Sequence, residues 1–377
     1  MKILMIGLFP PPIHGVTMAN DMFFRGISEK HDIQIIDTKA NVTIGDASRQ
    51  GKLSLKKICR VVFSLLSGVF RLLFSPKFDI AYLIPGLSFN GFIRYSPFIF
   101  SAKIRGIPCV IHIHGGSFRE MYISSKGWKK KFLNWLLSLI NGVIVLGPSF
   151  KDTFKNIFRD DQIFICPNGI PNEIIASKEE VKEKESRRNS DVCLNILYLS
   201  NLMKRKGILD LLEAVRILKK ESVKFHLDIA GFMEPEIKKQ IESFLGDLKE
   251  EAKYYGVVSG KNKKNLFLKN YVFCLPTYFN EGQPISILEA MANACTIVTT
   301  DQGGIKDIVD ERYCCFAETQ NPLNLVEKLL CAWKKTGGGI IAWEEAVKTY
   351  SEVFFIKRIE DIFNTILRQH KLSRQVD

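Results

Sequence analysis

The sequence predicts an α/β protein of two domains, and three observations carry that prediction. At 377 residues the chain is long for one hydrophobic core and suits two. Short apolar runs typical of buried parallel strands alternate with longer helical patterns. From 177 to 191 the sequence is densely charged without apolar periodicity, which favours a linker. We therefore predict domains at 1–176 and 192–350, a linker at 177–191, and a final helical segment at 351–377.

Composition and charge limit the classes of partner. Hydrophobic residues make up 46% of the chain and charged residues 25%, which is typical of a folded globular protein. The chain has 53 Lys and Arg against 40 Asp and Glu, a net charge of +13. This excess favours an anionic partner such as nucleic acid, an anionic membrane surface or a phosphorylated substrate. Because no nucleic-acid-binding motif accompanies the charge, we predict a membrane surface and no nucleic acid.

The cysteines and the start of the chain predict a cytoplasmic protein. Nine cysteines form no C-x-x-C pair, and Cys109, Cys166 and Cys274 lie in apolar, strand-like runs, as reduced buried thiols do. The apolar run at 1–9 is short and ends in three prolines without a small-residue cleavage site. It therefore predicts a first buried strand rather than a signal peptide.

In the first domain, ligand-binding candidates stand at strand ends. Strand 2–8 is followed by Gly15 at a predicted helix start, where glycine lets the backbone approach a ligand closely. His112 and His114 share one face of a strand that begins near residue 108. Since no third ligand lies nearby in sequence, a metal site is not predicted. We expect His112 to be buried, and His114, at the carboxyl end of the strand, to face a ligand.

Two helical segments of this domain mix basic and apolar residues. Residues 53–74 and 128–140 are too interrupted by charge to span a bilayer. They could lie at an anionic membrane interface, with apolar side chains in lipid and lysines at headgroups. They could equally be helices packed on the sheet, which α/β domains require. The sequence leaves both interpretations open.

The second domain contains a basic turn and a pair of acids. Strand 193–199 leads to Arg205 and Lys206 before a helix from Ile208, where a cation and helix N–H groups can bind one phosphate. Glu281 and Glu289 straddle a predicted loop-to-helix junction, with Pro284 suited to the first helical turn. Such carboxylates can accept hydrogen bonds from sugar and ribose hydroxyls. A capped surface helix would also explain the spacing.

The run from Pro276 to Asp310 closely resembles the donor site of glycosyltransferase family 4, a group 1 type of retaining enzyme with the GT-B fold. The resemblance implies two Rossmann-like domains facing each other across a cleft, with the last helix returning to the first domain. It implies Glu281 and His114 as catalytic residues, Glu289 as the ribose ligand and Lys206 on the pyrophosphate.

The same resemblance supplies the other donor-binding residues. Asn201 stands where the family commonly has an arginine, so Arg205 is the candidate for the second cation. In the loop that carries Gly15, Val16 stands where most relatives have a second glycine. The donor-binding set is then Gly15, Arg205, Lys206, Val258, Gly282, Gln283, Pro284, Ile285 and Glu289. No metal and no cofactor beyond the nucleotide sugar are implied.

Together these observations predict a retaining, hexosyltransferase-type enzyme of bacterial surface polysaccharide biosynthesis. It would use a nucleotide sugar and a lipid-linked or oligosaccharide acceptor, as a cytoplasmic protein peripheral to the inner face of the cell membrane. One alternative is another GT-B enzyme, such as a sugar-nucleotide epimerase or a glycogen-type phosphorylase. A phosphorylase would need a pyridoxal-binding lysine, and the sequence shows no recognisable motif for one. Another is a catalytically silent, membrane-surface nucleotide-sugar binding protein. A polyanion binder would explain the charge but not the acidic motif.

Overall fold

A computed structural model describes residues 1–11, 15–38, 68–70, 72–74 and 76–376. The chain divides into two compact units, one formed by Met1–Asn168 with Glu352–Asp377 and the other by Gly169–Ser351. The predicted helix 53–74 lies outside the described residues except for short helical stretches at 68–70 and 72–74. Within the described ranges, no helix is long and apolar enough to cross a membrane.

The first unit is a six-stranded parallel sheet in the order β2-β1-β3-β4-β5-β6. Alternate strand residues belong to two apolar clusters, one on each face, because helices cover both sides. The strands are β1 (Lys2–Gly7), β2 (Asp32–Asp37), β3 (Ile80–Leu83), β4 (Cys109–Ile113), β5 (Gly142–Val145) and β6 (Ile163–Ile165).

The helices of the first unit include the last helix of the chain. They are α1 (Gly15–Ser28), α2 (Phe89–Ile93), α3 (Ser96–Ile104), α4 (Ser117–Ser124), α5 (Gly127–Ser138) and, after the second unit, α13 (Glu352–Val376). Phe355, Ile359 and Phe363 of α13 are buried in the same apolar cluster as Phe23 of α1. The predicted return of the last helix to the first domain is therefore confirmed.

The second unit repeats this architecture in the strand order β12-β11-β10-β7-β8-β9, again all parallel. Its strands are β7 (Leu194–Leu199), β8 (Phe225–Ala230), β9 (Ala252–Tyr254), β10 (Val272–Leu275), β11 (Thr296–Thr299) and β12 (Cys314–Phe316). Its helices are α6 (Lys178–Ser190), α7 (Ile208–Lys220), α8 (Lys238–Leu248), α9 (Gly260–Lys269), α10 (Ile285–Met291), α11 (Pro322–Lys334) and α12 (Gly338–Tyr350). Two Rossmann-like units of this kind confirm the predicted GT-B fold class.

The predicted linker at 177–191 is wrong, because this segment is helix α6 of the second unit. A capping box starts the helix: the Ser177 hydroxyl accepts from the Glu180 N–H at 3.2 Å, and the Ser177 N–H donates to the Glu180 carboxylate at 2.7 Å. The first unit also ends at Asn168, earlier than the predicted boundary at 176.

Buried cations hold α6 in place, which explains why it shows no apolar stripe. The Lys184 ammonium is fully buried and donates to the Phe267 and Asn293 carbonyls, both at 2.7 Å. The Arg188 guanidinium donates to the Ala332 carbonyl at 2.8 Å. These bonds pair buried carbonyl groups with charged donors, although Nε and Nη1 of Arg188 are buried without a partner among the described residues. Hydrophobic periodicity therefore underestimates how firmly this helix is packed.

Candidate functional site

Strand order in the second unit places two loops of the site side by side. The order of strands reverses between β7 and β10, with β8 and β9 on one side and β11 and β12 on the other. Open α/β sheets bind ligands at such a switch point, beyond the carboxyl ends of the strands. The loop after β7 carries Lys206, and the loop after β10 carries Glu281.

Lys206 and Glu281 form an ion pair at this point, in which the carboxylate is buried and the lysine is half-buried. The Lys206 Nζ lies 2.5 Å from the Glu281 Oε1, and their side chains are 17% and 8% exposed. The Thr277 hydroxyl donates to the same carboxylate oxygen at 2.9 Å. Both charges are therefore compensated inside the protein, as burial requires.

The backbone of Glu281 is fixed by the glycine pair after β11. Gly303 has φ +59°, and a Cβ there would lie only 1.9 Å from the Glu281 carbonyl oxygen. The Gly304 N–H donates to that oxygen at 3.2 Å. Because only glycine combines this conformation with so close an approach, Gly303 sets the position of Glu281.

The basic turn is bonded to the loop after β10. Residues 204–206 form a 3₁₀ turn that ends at Gly207, with φ +75°, where a Cβ would lie 2.0 Å from the Pro276 carbonyl oxygen. The Arg205 carbonyl accepts from the Tyr278 N–H at 3.0 Å. The Arg205 guanidinium and the Lys206 ammonium lie 5.1 and 5.2 Å from the centre of the Phe279 ring. Both predicted cations thus sit beside the Glu281 loop.

Glu289 lies in helix α10 and is 3% exposed. The Lys263 Nζ, from helix α9, lies 2.5 Å from the Glu289 Oε1. The other oxygen, Oε2, is buried without a hydrogen-bond partner among the described residues. Leaving such an acceptor unpaired costs about 1–3 kcal/mol, so a ligand hydroxyl that donates to it would be favoured.

The remaining donor-binding candidates lie around the same loop. Gln283 is buried, and Ile285 is the first residue of α10. Pro284 precedes the helix at the cap position, with φ −62°, rather than in its first turn as predicted. Gly282 is half-buried between Glu281 and Gln283. Val258 is half-buried ahead of α9 and packs on the core of the unit.

In the first unit, His114 follows β4 directly and is neutral near pH 7. Burial lowers the pKa of His114 to about 4, although a hydrogen bond to Asn168 opposes this shift. The Nδ1 atom lies 3.1 Å from the Asn168 Oδ1, an oxygen that can only accept, so Nδ1 carries the proton. The Nε2 atom is then an acceptor, and it is buried without a partner among the described residues.

His112 and Gly15 complete the candidates of the first unit. The His112 Nδ1 lies 2.6 Å from the Tyr82 hydroxyl, and the His112 and His114 ring centres are 3.8 Å apart. Burial, and secondarily the neighbouring His114, hold the pKa of His112 well below its usual value. Gly15 is the exposed first residue of α1. In the described part of the chain, no cluster of three or more His, Cys, Asp or Glu side chains could hold a metal ion.

Sequence reasoning missed four residues that orient the candidates. Thr277, Lys263 and Asn168 are the partners of Glu281, Glu289 and His114, and Gly303 clamps the Glu281 backbone. The glycine pair after a buried strand was a usable signal. The other three had none, because their roles come from contacts between separate elements.

Two Rossmann-like units with a charged site at the switch point of the second define the class of this protein: it has the GT-B fold. Residues 193–335, which lie within the second unit, match the family described as glycosyl transferases group 1. Assignment to the numbered family 4 stays a prediction.

Two curated glycosyltransferases are similar to parts of this chain. The chain is 30% identical to the amylovoran biosynthesis glycosyltransferase AmsK of Erwinia amylovora over 31% of this chain and 30% of that protein. It is 27% identical to the putative teichuronic acid biosynthesis glycosyltransferase TuaC of Bacillus subtilis, over 54% of this chain and 49% of that protein. The matches thus span less than half the length of either relative.

The crystal structure of Anabaena HepE in complex with UDP and glucose has a TM-score of 0.68 to this chain, at 12% identity over 97% of this chain and 100% of that one. At this identity the likeness shows the shared fold alone.

Proposed function

We propose that the chain is a retaining, hexosyltransferase-type glycosyltransferase that transfers a sugar from a nucleotide sugar to a saccharide acceptor in bacterial surface polysaccharide biosynthesis. The ion pair between Lys206 and the buried Glu281 carboxylate, at the switch point, carries the proposal. The group 1 family match, the polysaccharide pathways named for AmsK and TuaC, and the UDP bound to HepE support it.

The second unit would hold the donor through three polar groups. Lys206 would bind the pyrophosphate, with Arg205 beside it as a second cation. Glu281 would accept a hydrogen bond from a hydroxyl of the donor sugar. Glu289 would accept a hydrogen bond from a ribose hydroxyl at its unpaired Oε2, while Lys263 keeps its ion pair with Oε1. Until the donor arrives, the two ion pairs compensate the buried charges.

Catalysis would be positioning and charge stabilisation. When the bond from the anomeric carbon to the diphosphate breaks, positive charge develops on the sugar and negative charge on the leaving group. Lys206 and Arg205 would stabilise the leaving diphosphate, so we expect activity without added metal. The acceptor oxygen would attack from the same face, giving its proton to the leaving phosphate. His114 Nε2 would accept a hydrogen bond from a sugar hydroxyl.

The acceptor would be lipid-linked and the protein cytoplasmic and peripheral to the membrane. The first unit has 27 Lys and Arg against 14 Asp and Glu, whereas the second has 26 of each. The whole net charge of +13 therefore belongs to the unit that does not hold the donor motif. Such a field favours an anionic partner other than the donor, as a lipid diphosphate in an anionic bilayer would be.

A panel of nucleotide sugars tests the donor site through thermal unfolding of the full chain. A true donor at about 100 times its Kd should stabilise the fold by roughly 2.7 kcal/mol. Inorganic pyrophosphate serves as the control for simple anion binding. At the same donor concentration, Glu289→Ala should reduce this stabilisation to about half or less. If no nucleotide sugar stabilises the wild type, the proposal is wrong.

Turnover separates the alternatives. A transferase consumes the stabilising nucleotide sugar and releases free nucleoside diphosphate. A sugar-nucleotide epimerase would change the sugar without this release. Stabilisation without any consumption, even with membrane lipids present, would instead favour the catalytically silent binding protein.

A further inference from the structure

Helix α5 presents a basic, aromatic face that the proposed donor chemistry does not use. The helix buries Leu133, Leu136 and Leu137 against the sheet. Its opposite stripe turns Trp128, Lys131 and Trp135 outward, three and four residues apart. We define the α5 surface as Lys126, Trp128, Lys129, Lys131 and Trp135.

The apolar members of this surface are widely exposed. The Trp128 side chain is 67% exposed and the Trp135 side chain 48%. By contrast, the other two tryptophans, Trp333 and Trp343, lie half-buried in the second unit. Exposed tryptophans concentrated on one helix are not explained by packing of the sheet.

Aromatic neighbours hold the two exposed tryptophans in place. The Trp128 ring meets the Phe89 ring edge-on, with 5.8 Å between centres. The Trp135 ring centre lies 5.0 Å from that of Phe100 and 5.6 Å from that of Phe132. Rigid rings that keep one side free suit a boundary between water and an apolar phase.

Positive charge dominates around these rings. Residues 96–138 include seven lysines and arginines and one acidic residue, Glu120. Lys126, Lys129 and Lys131 are exposed. Lys130 folds back instead, donating to the Tyr122 carbonyl at 2.7 Å, and is not part of the surface.

A shallow depression of about 430 Å³ lies at one end of the surface. Its lining has an apolar part, formed by Phe89, Met121 and Trp128, and a polar part, formed by Ser124, Ser125, Lys126 and Lys129. An apolar lining beside two cations matches a phospholipid, whose phosphate meets lysine while its chains meet the rings.

We propose that the α5 surface docks the first unit onto a bilayer containing anionic phospholipids. The inference deepens the proposed function by naming the surface that would meet the membrane, but it rests on residues outside the donor site. Charge complementarity selects lipid over a second copy of this chain, because two such basic surfaces would repel each other.

Co-sedimentation of the full chain with vesicles tests the proposal. The wild type should bind vesicles of phosphatidylcholine with phosphatidylglycerol and not vesicles of phosphatidylcholine alone. Each lysine near an anionic surface strengthens binding about fivefold, so a triple Lys126→Gln, Lys129→Gln and Lys131→Gln variant should lose roughly a hundredfold. Trp128→Ala with Trp135→Ala should also weaken binding, which simple charge attraction would not predict.

A matched control removes the same charge from the second unit. Lys220, Lys224 and Lys239 are exposed there, and changing all three to Gln should leave vesicle binding within about threefold of wild type. Equal losses in both triple variants would overturn the proposal, since only net charge would then matter. So would wild-type affinity in the α5 variant, because the docking surface would lie elsewhere.

Two further readouts distinguish membrane docking from donor binding and from self-association. Stabilisation by a nucleotide sugar should be unchanged in the α5 variant, so failure of the donor proposal and failure of the docking proposal are distinguishable. If the wild type ignores anionic vesicles but self-associates, and Trp128→Ala with Trp135→Ala makes it monomeric, the surface contacts protein and the proposal is wrong.

Discussion

The first unit carries the entire excess of positive charge, whereas the second, built on the same six-stranded parallel sheet, is neutral overall. In the second unit the functional carboxylates Glu281 and Glu289 are buried and each is paired with a half-buried lysine, whereas Arg205 is exposed. In the first unit the candidate His114, at the carboxyl end of strand β4, is a neutral imidazole near pH 7. The positive charge of this unit lies on exposed lysines such as Lys129.

This difference indicates two ways of binding anions with one fold. Buried, paired groups recognise a small ligand by geometry, at the cost of desolvating their charges. Exposed charges of one sign create a field that attracts a large anionic surface without a fixed geometry. The two units should therefore respond differently to mutation, pH and salt.

The largest effect should follow loss of one partner of the buried pair. Lys206→Met leaves the Glu281 carboxylate buried without its cation, so we expect the second unit to lose about 3–5 kcal/mol of stability. Hydrogen exchange in β7 and β10 measures this locally. Exposed Lys220→Met is the control and should have little effect. Adding Glu281→Leu to Lys206→Met should recover most of the loss; no recovery would contradict the ion-pair account.

The two glutamates should then differ in which kinetic quantity they change. Glu281→Ala should lower kcat about 10²–10³-fold, as loss of a group that stabilises a transition state does. Glu289→Ala should instead weaken nucleotide affinity, by about tenfold to a hundredfold, since it removes a ground-state hydrogen bond. Steady-state kinetics with direct binding separates the two. Equal, negligible effects of both substitutions would mean that neither carboxylate contacts the donor.

Stability of the first unit should fall at mildly acidic pH. The pKa of His114 is lowered to about 4 in the folded state against 6.5 unfolded, so its contribution is favourable above pH 6.5 and lost as pH falls toward 4. Between pH 7 and 5 this single group accounts for about 2 kcal/mol. Hydrogen exchange in β4 should show the loss in wild type and a smaller one in His114→Gln. An identical pH dependence in both would be inconsistent with burial of this imidazole.

The smallest expected effect is that of salt on donor affinity, which we assign to the second unit. Because the donor-site carboxylates are buried and contact the ligand at short range, donor affinity should change no more than about threefold between low and physiological salt. Vesicle binding by the first unit should fall more than about tenfold over the same range. Titrations of the same preparation at both salt concentrations compare the two. Equal salt dependence would mean that donor binding is also a long-range charge effect.

The fold was predictable from sequence where burial is apolar. Strands such as β7 and β10 are nearly continuous apolar runs, and glycine or polar loops follow them, so strand positions and the Glu281 motif were found. Helix α6 is not predictable in this way, because Lys184 and Arg188 anchor it through hydrogen bonds to buried carbonyl groups. Its charged sequence without apolar periodicity predicts a linker instead.

The site was predictable only in its motif residues. Glu281, Glu289 and Lys206 stand in short patterns with known chemistry. Their partners do not: Lys263 reaches Glu289 from another helix, and Asn168 reaches His114 from 54 residues away. Contacts of this kind depend on how elements pack, which local patterns do not encode.

Proton and phosphorus NMR of the full chain with a stabilising nucleotide sugar and membrane lipids as acceptor source tests the central claim most directly. We predict that nucleoside diphosphate accumulates in step with loss of the donor, and that the product keeps the anomeric configuration of the donor. Glu281→Ala should bind the donor yet release almost no diphosphate. A donor that binds tightly but stays intact with the wild type, or a product of inverted configuration, would contradict the account.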